Sequence, residues 1–483
     1  MKRLNGMDAM LLYSETPNLH THTLKVAVID ASQYSTAHEG EYGFEAFRRT
    51  IARRLHLLEP LRYQLVDIPL RLHHPMWLQN CPVDLDYHLR RVQVPAPGGR
   101  RELDDVIGRI ASTPLDRTKP LWEFHFAEGM ADQRFAVIGK IHHALADGIA
   151  SANLLARLLD LTGAPQNERD EPPSPATVPT KGRLLWEAQV DHAQNIAELP
   201  RLVADAARGL AKLRRRSKQR TVNPDLAKPF NAPPTFLNHV VSPVRTFATA
   251  TLSLAEVKET TKHLGVTFND TILTVAAGGL RELLLRYDGR ADRPILAVVP
   301  VATDKSGDRI TGNEIGGMMV SLPVHMDAPL RRLELTTLST ARAKETNDLL
   351  GATLEGRAMG YLPPPLAPAV FRAQSKRADH NRLMNVALSN VAGPRERGHI
   401  GGAPVSEIYS VGVLSAGSAF NMTVWSYVDQ VDIAVLSDDR TFKDTHEATD
   451  AIVHAFDELR QACGLPPATT VDTAMGPAPA GDS

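Results

Sequence analysis

The sequence predicts an α/β (α+β) protein built from two mixed-sheet halves joined by a long helical connector. Three observations predict it. The chain has 483 residues, too many for one ordinary hydrophobic core. Short β-like runs are interspersed with helical segments in both halves. Between them lies "TGAPQNERDEPPSPATVPTKG", residues 162–182, with five prolines and almost no large apolar side chain, which reads as an exposed linker. The resulting divisions are a first half over 1–161, a connector over 162–244, a second half over 245–463 and a Pro/Ala/Thr-rich tail over 464–483, expected to be disordered. No sequence repeat relates the two halves.

Bulk properties narrow the partners. Apolar residues make up 43% of the chain and charged residues 23%, an ordinary globular balance, and the net charge of −1 gives no reason to expect nucleic acid. Cys81 and Cys463 lie far apart, which argues against a disulfide framework or a cysteine-rich zinc site and suits a reducing cytoplasm. Asp8 interrupts the apolar stretch a signal peptide would need, so no signal is expected. No run approaches 18 apolar residues, so no bilayer-spanning segment is expected; peripheral attachment stays open.

Element by element, "HTLKVAVID" and "RFAVIGKI" read as strands. From Gly148 the pattern turns helical, with Ile149, Ala152, Ala156 and Leu159 on one face. In the connector, Ile196, Leu199, Val203, Ala206, Leu210 and Leu213 alternate spacings of three and four, an apolar helical stripe that Pro200 should break or kink. The stripe runs into "KLRRRSKQR", residues 212–220. A basic amphipathic helix of this kind suits an anionic membrane or phosphates, and equally a solvated helix end. In the second half Ser253 and Glu256 form a capping box, and Gly265 closes the helix that follows. "VTFND" then opens a helix with Leu273, Ala276, Ala277, Leu280 and Leu284 on its apolar face, ending at Asp288-Gly289.

The chemistry concentrates in "IGKIHHALADGIAS", residues 138–151. Phe135 to Ile141 is apolar on both faces, as in a strand buried between layers. Alternation along a strand sends His142 and His143 in opposite directions, so one of them can serve a given reaction centre. Three readings compete. The pair is structural, with Asp147 capping the helix; or it is a metal site, which is weak because adjacent strand residues diverge and no matching ligand cluster appears elsewhere; or one histidine is a general base and Asp147 organises the turn presenting it.

The spacing His-His-x-x-x-Asp-Gly resembles the active-site motif of the acyl-CoA-dependent acyltransferase superfamily. Further stretches resemble the bacterial wax ester synthase/diacylglycerol acyltransferase family: "PLDRTKPLWEFHFAEG" (114–129), "FNDTILTVAAGGLR" (268–281), then "GNEIGGMMVSLP", "SNVAGP" and "SAGSAFNMTVWSY" in order. The resemblance covers nearly all of residues 1–463. Departures are Ala392, where proline is expected in "SNVAGP", and a Leu-His pair in "PNLHTHTLK", where Met-His is commoner.

The resemblance implies two chloramphenicol-acetyltransferase-like domains with an active-site tunnel between them. It implies transfer of a long-chain acyl group from acyl-CoA to the hydroxyl of diacylglycerol or a long-chain alcohol, with His143 as general base and His142 in support. Asp147 should hold the loop through a partner the sequence does not identify, and Gly148 should permit the tight turn into the helix. Asn269 and Asp270 come close to the site from the far half; Asn269 is a candidate oxyanion donor, and for Asp270 capping and function weigh equally. Pro120, Leu121 and Trp122 are expected near the acyl channel as a substrate-binding segment, Trp122 being a residue more often found in a core. No acyl-enzyme is required, and the Gly-x-Ser-x-Gly elbow is missing: Ser415 has Val413 two residues before it. No cofactor or metal is implied, acyl-CoA being a co-substrate. The apolar acceptor implies peripheral attachment, from the cytoplasm, to the inner membrane face or lipid inclusions, with the 184–220 helix as candidate anchor. Rival readings are a related acyltransferase acting on a polyketide or glycolipid hydroxyl, and a catalytically silent lipid-binding paralogue.

Overall fold

The computed structural model describes residues 1–32, 43–158, 176–220, 224–304, 306, 308–377, 382–400, 403–468 and 471–472. Two mixed sheets dominate it. The first runs, edge to edge, His399–Ile400, Ala403–Val411, His22–Asp30, Arg134–His142, Trp122–Glu128 and Leu89–Gln93. All neighbours are antiparallel except Leu89–Gln93, which runs parallel to Trp122–Glu128. The second runs Ile315–Leu322, Ile295–Ala302, Val386–Ala392, Phe420–Tyr427, Gln430–Asp438, Arg245–Ser253 and Val471–Asp472. There Val386–Ala392 is parallel to both neighbours.

The strand carrying the double histidine is buried on both faces, as its unbroken apolar run predicts. One face of its sheet sends Leu24, Val26, Ala136 and Ile138 against Val106 and Ile107 of the Arg100–Ala111 helix. The other sends Ala27, Val137 and Ile141 toward Leu154 and Leu158 of the Gly148–Leu158 helix. In the second half the Phe268–Tyr287 helix is buried nearly all round, because the His446–Ala462 helix lies close along it; a Cβ at Gly279 would lie 2.9 Å from the Ile452 backbone nitrogen. The expected ends are present: the Ser253 side chain accepts from the Glu256 N–H, Gly265 is left-handed at φ 65°, and Gly289 follows Asp288 at φ 68°.

Three findings go beyond the sequence pattern. The halves are not drawn from separate stretches: Ala403–Val411, from the second half of the chain, pairs with Leu24–Ile29 of the His22–Asp30 strand in the first sheet. Its alternation is that of any half-buried strand, so nothing local says which sheet will take it. Second, Lys181–Gln219 is one helix, and Pro200 does not end it. Third, its predicted stripe faces outward. Leu184, Ala188, Leu202 and Gly209 are the buried positions, whereas Ile196 is 71% and Val203 58% exposed, with Leu199 and Leu210 also exposed. The inner face is held largely by polar contacts: Arg3 pairs with Asp191, Arg357 with Asp205 and Arg216 with Glu345. Most of the proline-rich 162–182 linker and of the tail after Gly464 lies outside the described residues; Val471–Asp472 pairs with Leu252–Thr251 at the sheet edge.

Candidate active site

His22 and His142 are register partners where the two central strands end. The His142 N–H donates to Leu121 O (3.0 Å) and the His143 N–H to Thr21 O (2.8 Å), after which a turn donates Leu145 N–H back to His142 O. The two rings then go to different partners, His142 as the last residue of the strand and His143 as the first of the turn. His142 is wholly buried. Its Nδ1 accepts from the Ala144 N–H (3.1 Å), which leaves its Nε2–H to donate to Thr21 Oγ1 (2.9 Å). Both nitrogens are occupied, so His142 shapes the turn.

His143 is partly exposed, and its Nδ1 lies 2.9 Å from Asn313 Oδ1. The Asn313 amide nitrogen is committed elsewhere, to Asp8 Oδ1 and His143 O (2.7 Å each). Asn313 therefore offers His143 an acceptor, and Nδ1 carries the proton. The neutral ring keeps its lone pair on Nε2. Burial pushes the His143 pKa below the ordinary imidazole value and Lys25 adds to that, while a bond to the residue's own backbone, Asp147 and the Asn313 bond oppose it. At neutral pH the ring is an uncharged base.

Asp147 is buried and finds its partner in the other half. Arg309 Nη2 donates to both carboxylate oxygens (3.0 and 2.8 Å), the Glu314 N–H donates to Oδ2 (3.0 Å), and the Ala150 N–H donates to Oδ1 (2.9 Å). Around it Gly312 N–H donates to Leu145 O and Asp147 N–H to Gly312 O, stitching 145–147 to 309–314. Thus Asp147 caps a helix and also clamps the segment that carries Asn313. Gly148 sits against the second half: a Cβ there would lie 3.4 Å from Val391 Cγ2.

Val391 belongs to the strand Val386–Ala392, and its neighbours Ser389 and Asn390 line a small pocket with Asn269. One strand thereby reaches both motif segments, "HHALADG" and "FND". Asn269 is partly exposed, and among the described residues its side chain has no hydrogen-bond partner. Asp270 differs. Buried, it accepts from Thr267 Oγ1 and Thr340 Oγ1 (2.6 Å each) and completes a capping box with Thr267, so it builds the helix start. Pro120, Leu121 and Trp122 are buried in packing. Trp122 donates Nε1–H to Leu61 O (2.7 Å) and stacks on His88, and the backbone of Leu121 anchors His142.

Sequence reasoning did not single out Asn313, Arg309, Asp8 or Lys25 as site residues. Asn313 lay within the "GNEIGG" block; the others carried no local signal. Buried Lys25 contacts Ser410 Oγ and lies 5.1 Å from the Trp425 ring centroid, and desolvation brings its pKa down to about 8. Two clefts flank the site. One of about 310 Å³ is bounded by Leu202 of the connector helix, by Met7, and by Asn313 and Ile315. A larger one of about 700 Å³ is bounded by Arg71, Arg372, Leu12 and Glu15, whose carboxylate lies 3.8 Å from His142 Nε2. Among the described residues no cluster of three metal-ligating side chains is present.

This architecture is that of the two-domain acyltransferases and condensation domains. The wax ester synthase/diacylglycerol acyltransferase from Marinobacter aquaeolei VT8 superimposes with a TM-score of 0.69 at 24% identity, covering 96% of this chain and 100% of that one. The first condensation domain of the calcium-dependent antibiotic synthetase superimposes at 0.58 with 16% identity, covering 97% of each chain. Residues 4–272 match the wax ester synthase/diacylglycerol acyltransferase catalytic domain and residues 311–460 the WS/DGAT C-terminal domain, so the chain belongs to this family of acyltransferases. A Mycobacterium tuberculosis protein, provisionally named a diacylglycerol O-acyltransferase, is 53% identical over 479 residues, spanning 99% of this chain and all of that one. A second, named likewise, is 34% identical over 96% of this chain and 98% of its own.

Proposed function

We propose that the protein transfers a long-chain acyl group from acyl-CoA to the hydroxyl of diacylglycerol or a long-chain alcohol, with His143 as general base. One observation carries the reading: a partly exposed imidazole whose Nδ1–H is tied up and whose Nε2 lone pair, among the described residues, is not. Nε2 takes the proton of the acceptor hydroxyl while its oxygen attacks the thioester carbonyl. The tetrahedral oxyanion collapses, the carbon–sulfur bond breaks, and the protonated ring returns the proton to the leaving thiolate of coenzyme A. The amide of Asn269, unpaired among the described residues, is the group we assign to the oxyanion, where removal of such a donor costs roughly 3–4 kcal/mol.

The surroundings support lipid substrates. The cleft beside Asn313 is bounded by the connector helix, which carries exposed Ile196, Leu199, Val203 and Leu210 and then Arg214 and Arg215. An apolar row ending in cations suits the surface of an anionic membrane or lipid inclusion, and among the described residues no helix is long and apolar enough to cross one. Arg71 and Arg372 in the larger cleft suit the phosphates of acyl-CoA. The deciding assay is thiol release from palmitoyl-CoA with hexadecanol or with dipalmitoylglycerol. Release with either supports the reading. Release with neither, alongside a related enzyme that turns over, refutes it.

A further inference from the structure

We propose that Asn313 and Asp8 are positioning residues that hold His143 in its Nδ1–H form, so that the reaction depends on a His143–Asn313–Asp8 chain spanning both halves. The inference rests on His143 being the base.

The hydrogen-bond inventory decides the roles. An asparagine amide has one acceptor oxygen and one nitrogen bearing two hydrogens. Both hydrogens are spent, one on Asp8 Oδ1 and one on the His143 carbonyl, each at 2.7 Å. The opposite amide orientation would set its oxygen against that carboxylate and that carbonyl, acceptor against acceptor. Asp8 thus fixes which way the Asn313 amide points, and the amide oxygen, beside the ring's own backbone carbonyl, keeps the imidazole proton on Nδ1. Asp8 is well placed to do so, being buried at the start of the Gly6–Ser14 helix, and its Oδ1 also takes the Asn313 backbone N–H (3.0 Å). Asn5 closes the unit by donating to Asn313 O (3.2 Å). Burial raises the Asp8 pKa to about 7 against the Asn313 bonds and Lys2, and its Oδ1 accepts from Asn313 whether or not Oδ2 carries a proton, so it orients the ring without putting a full charge beside it. The other charges around the ring are Asp147 with its partner Arg309, and Lys25 from the neighbouring strand.

The chain is tested by removing the amide and by exchanging it for a carboxyl. Asn313→Ala should lower kcat by about 10²-fold with KM changed less than about threefold, because the ring is no longer held for proton transfer. Asn313→Asp keeps an acceptor for Nδ1–H, and the proton that two adjacent buried carboxyls share lets Asp8 donate to it. That variant should retain at least about tenfold over Asn313→Ala. It should also move the acid limb of kcat/KM to higher pH, since His143 then faces an ionised partner. A merely structural pair would leave that limb in place. Asn313→Ala within threefold of the parent kcat, or Asn313→Asp no better than Asn313→Ala, overturns the inference, and so does an unmoved limb. His143→Ala separates the two ideas. If it stays active, the base assignment falls; if it is inactive while Asn313→Ala is active, the positioning chain alone falls. Should the variants not fold, nitrogen-labelled imidazole spectra of the unaltered chain still decide: His143 must appear as the Nδ1–H form, and an Nε2–H form overturns the proposal.

Discussion

Asp147→Ala removes a carboxylate that holds three separate groups, and its cost can be worked from them. Arg309 is 10% exposed and Asp147 1%, so the pair is close to fully desolvated. Breaking a buried pair by deleting one partner costs roughly 3–5 kcal/mol, because the other charge stays behind. Asp304, 3.5 Å from Arg309 Nε, offers partial compensation and pulls the figure toward the lower end. The orphaned N–H groups of Ala150 and Glu314 push it back, at about 1–3 kcal/mol for each one water cannot reach. The expected result is about 3–5 kcal/mol lost from the 145–150 and 309–314 junction, or hydrogen exchange there accelerated about a hundred- to several-thousand-fold. Peptides covering these two stretches, followed by hydrogen exchange and mass spectrometry, report it directly. Adding Arg309→Met should recover part of the loss, since no uncompensated charge remains. Exchange unchanged at 309–314 in Asp147→Ala would mean that the motif aspartate does not clamp the segment carrying Asn313.

Three further outcomes follow from the same geometry. Asn269→Ala should lower kcat by about 10²-fold with little change in stability, whereas Asp270→Ala, which loses a cap and the Thr340 bond, should cost about 1–3 kcal/mol of stability; activity and denaturation profiles of the pair check this. Because His143 must be uncharged to take a proton and its pKa lies below 6.5, kcat/KM should rise with pH on the acid side with its midpoint below that value. A limb centred above it would contradict the cause assigned. Replacing Ile196 and Val203 by serine with Arg214 and Arg215 by glutamine should weaken sedimentation with anionic liposomes, Arg216 being left in place because it pairs with Glu345.

Much of the fold is legible locally because each signal acts over one element. Ser253, Gly265 and Asp288-Gly289 mark helix ends by backbone chemistry, and the run from Phe135 to Ile141 marks a strand covered on both sides. The site is half legible. The histidine pair at the end of an apolar strand is plain in the sequence, but the His143 ring's partner lies 170 residues away, and Arg309 lies 162 residues from Asp147. No local pattern encodes such pairings. The crossing of Ala403–Val411 into the first sheet is hidden for the same reason. The connector helix shows the converse: its apolar stripe is plain as a pattern and its facing is not, since periodicity says which residues share a side and not which side is inward.

Proton transfer through Nε2 of His143 underlies every step above, and turnover of His143→Ala beside His142→Ala and the parent chain probes it without intermediaries. Thiol release with a lipid alcohol should fall by roughly 10²- to 10⁴-fold for His143→Ala, with its circular dichroism unchanged. Turnover by a folded His143→Ala chain within a few-fold of the parent would rule that proton path out.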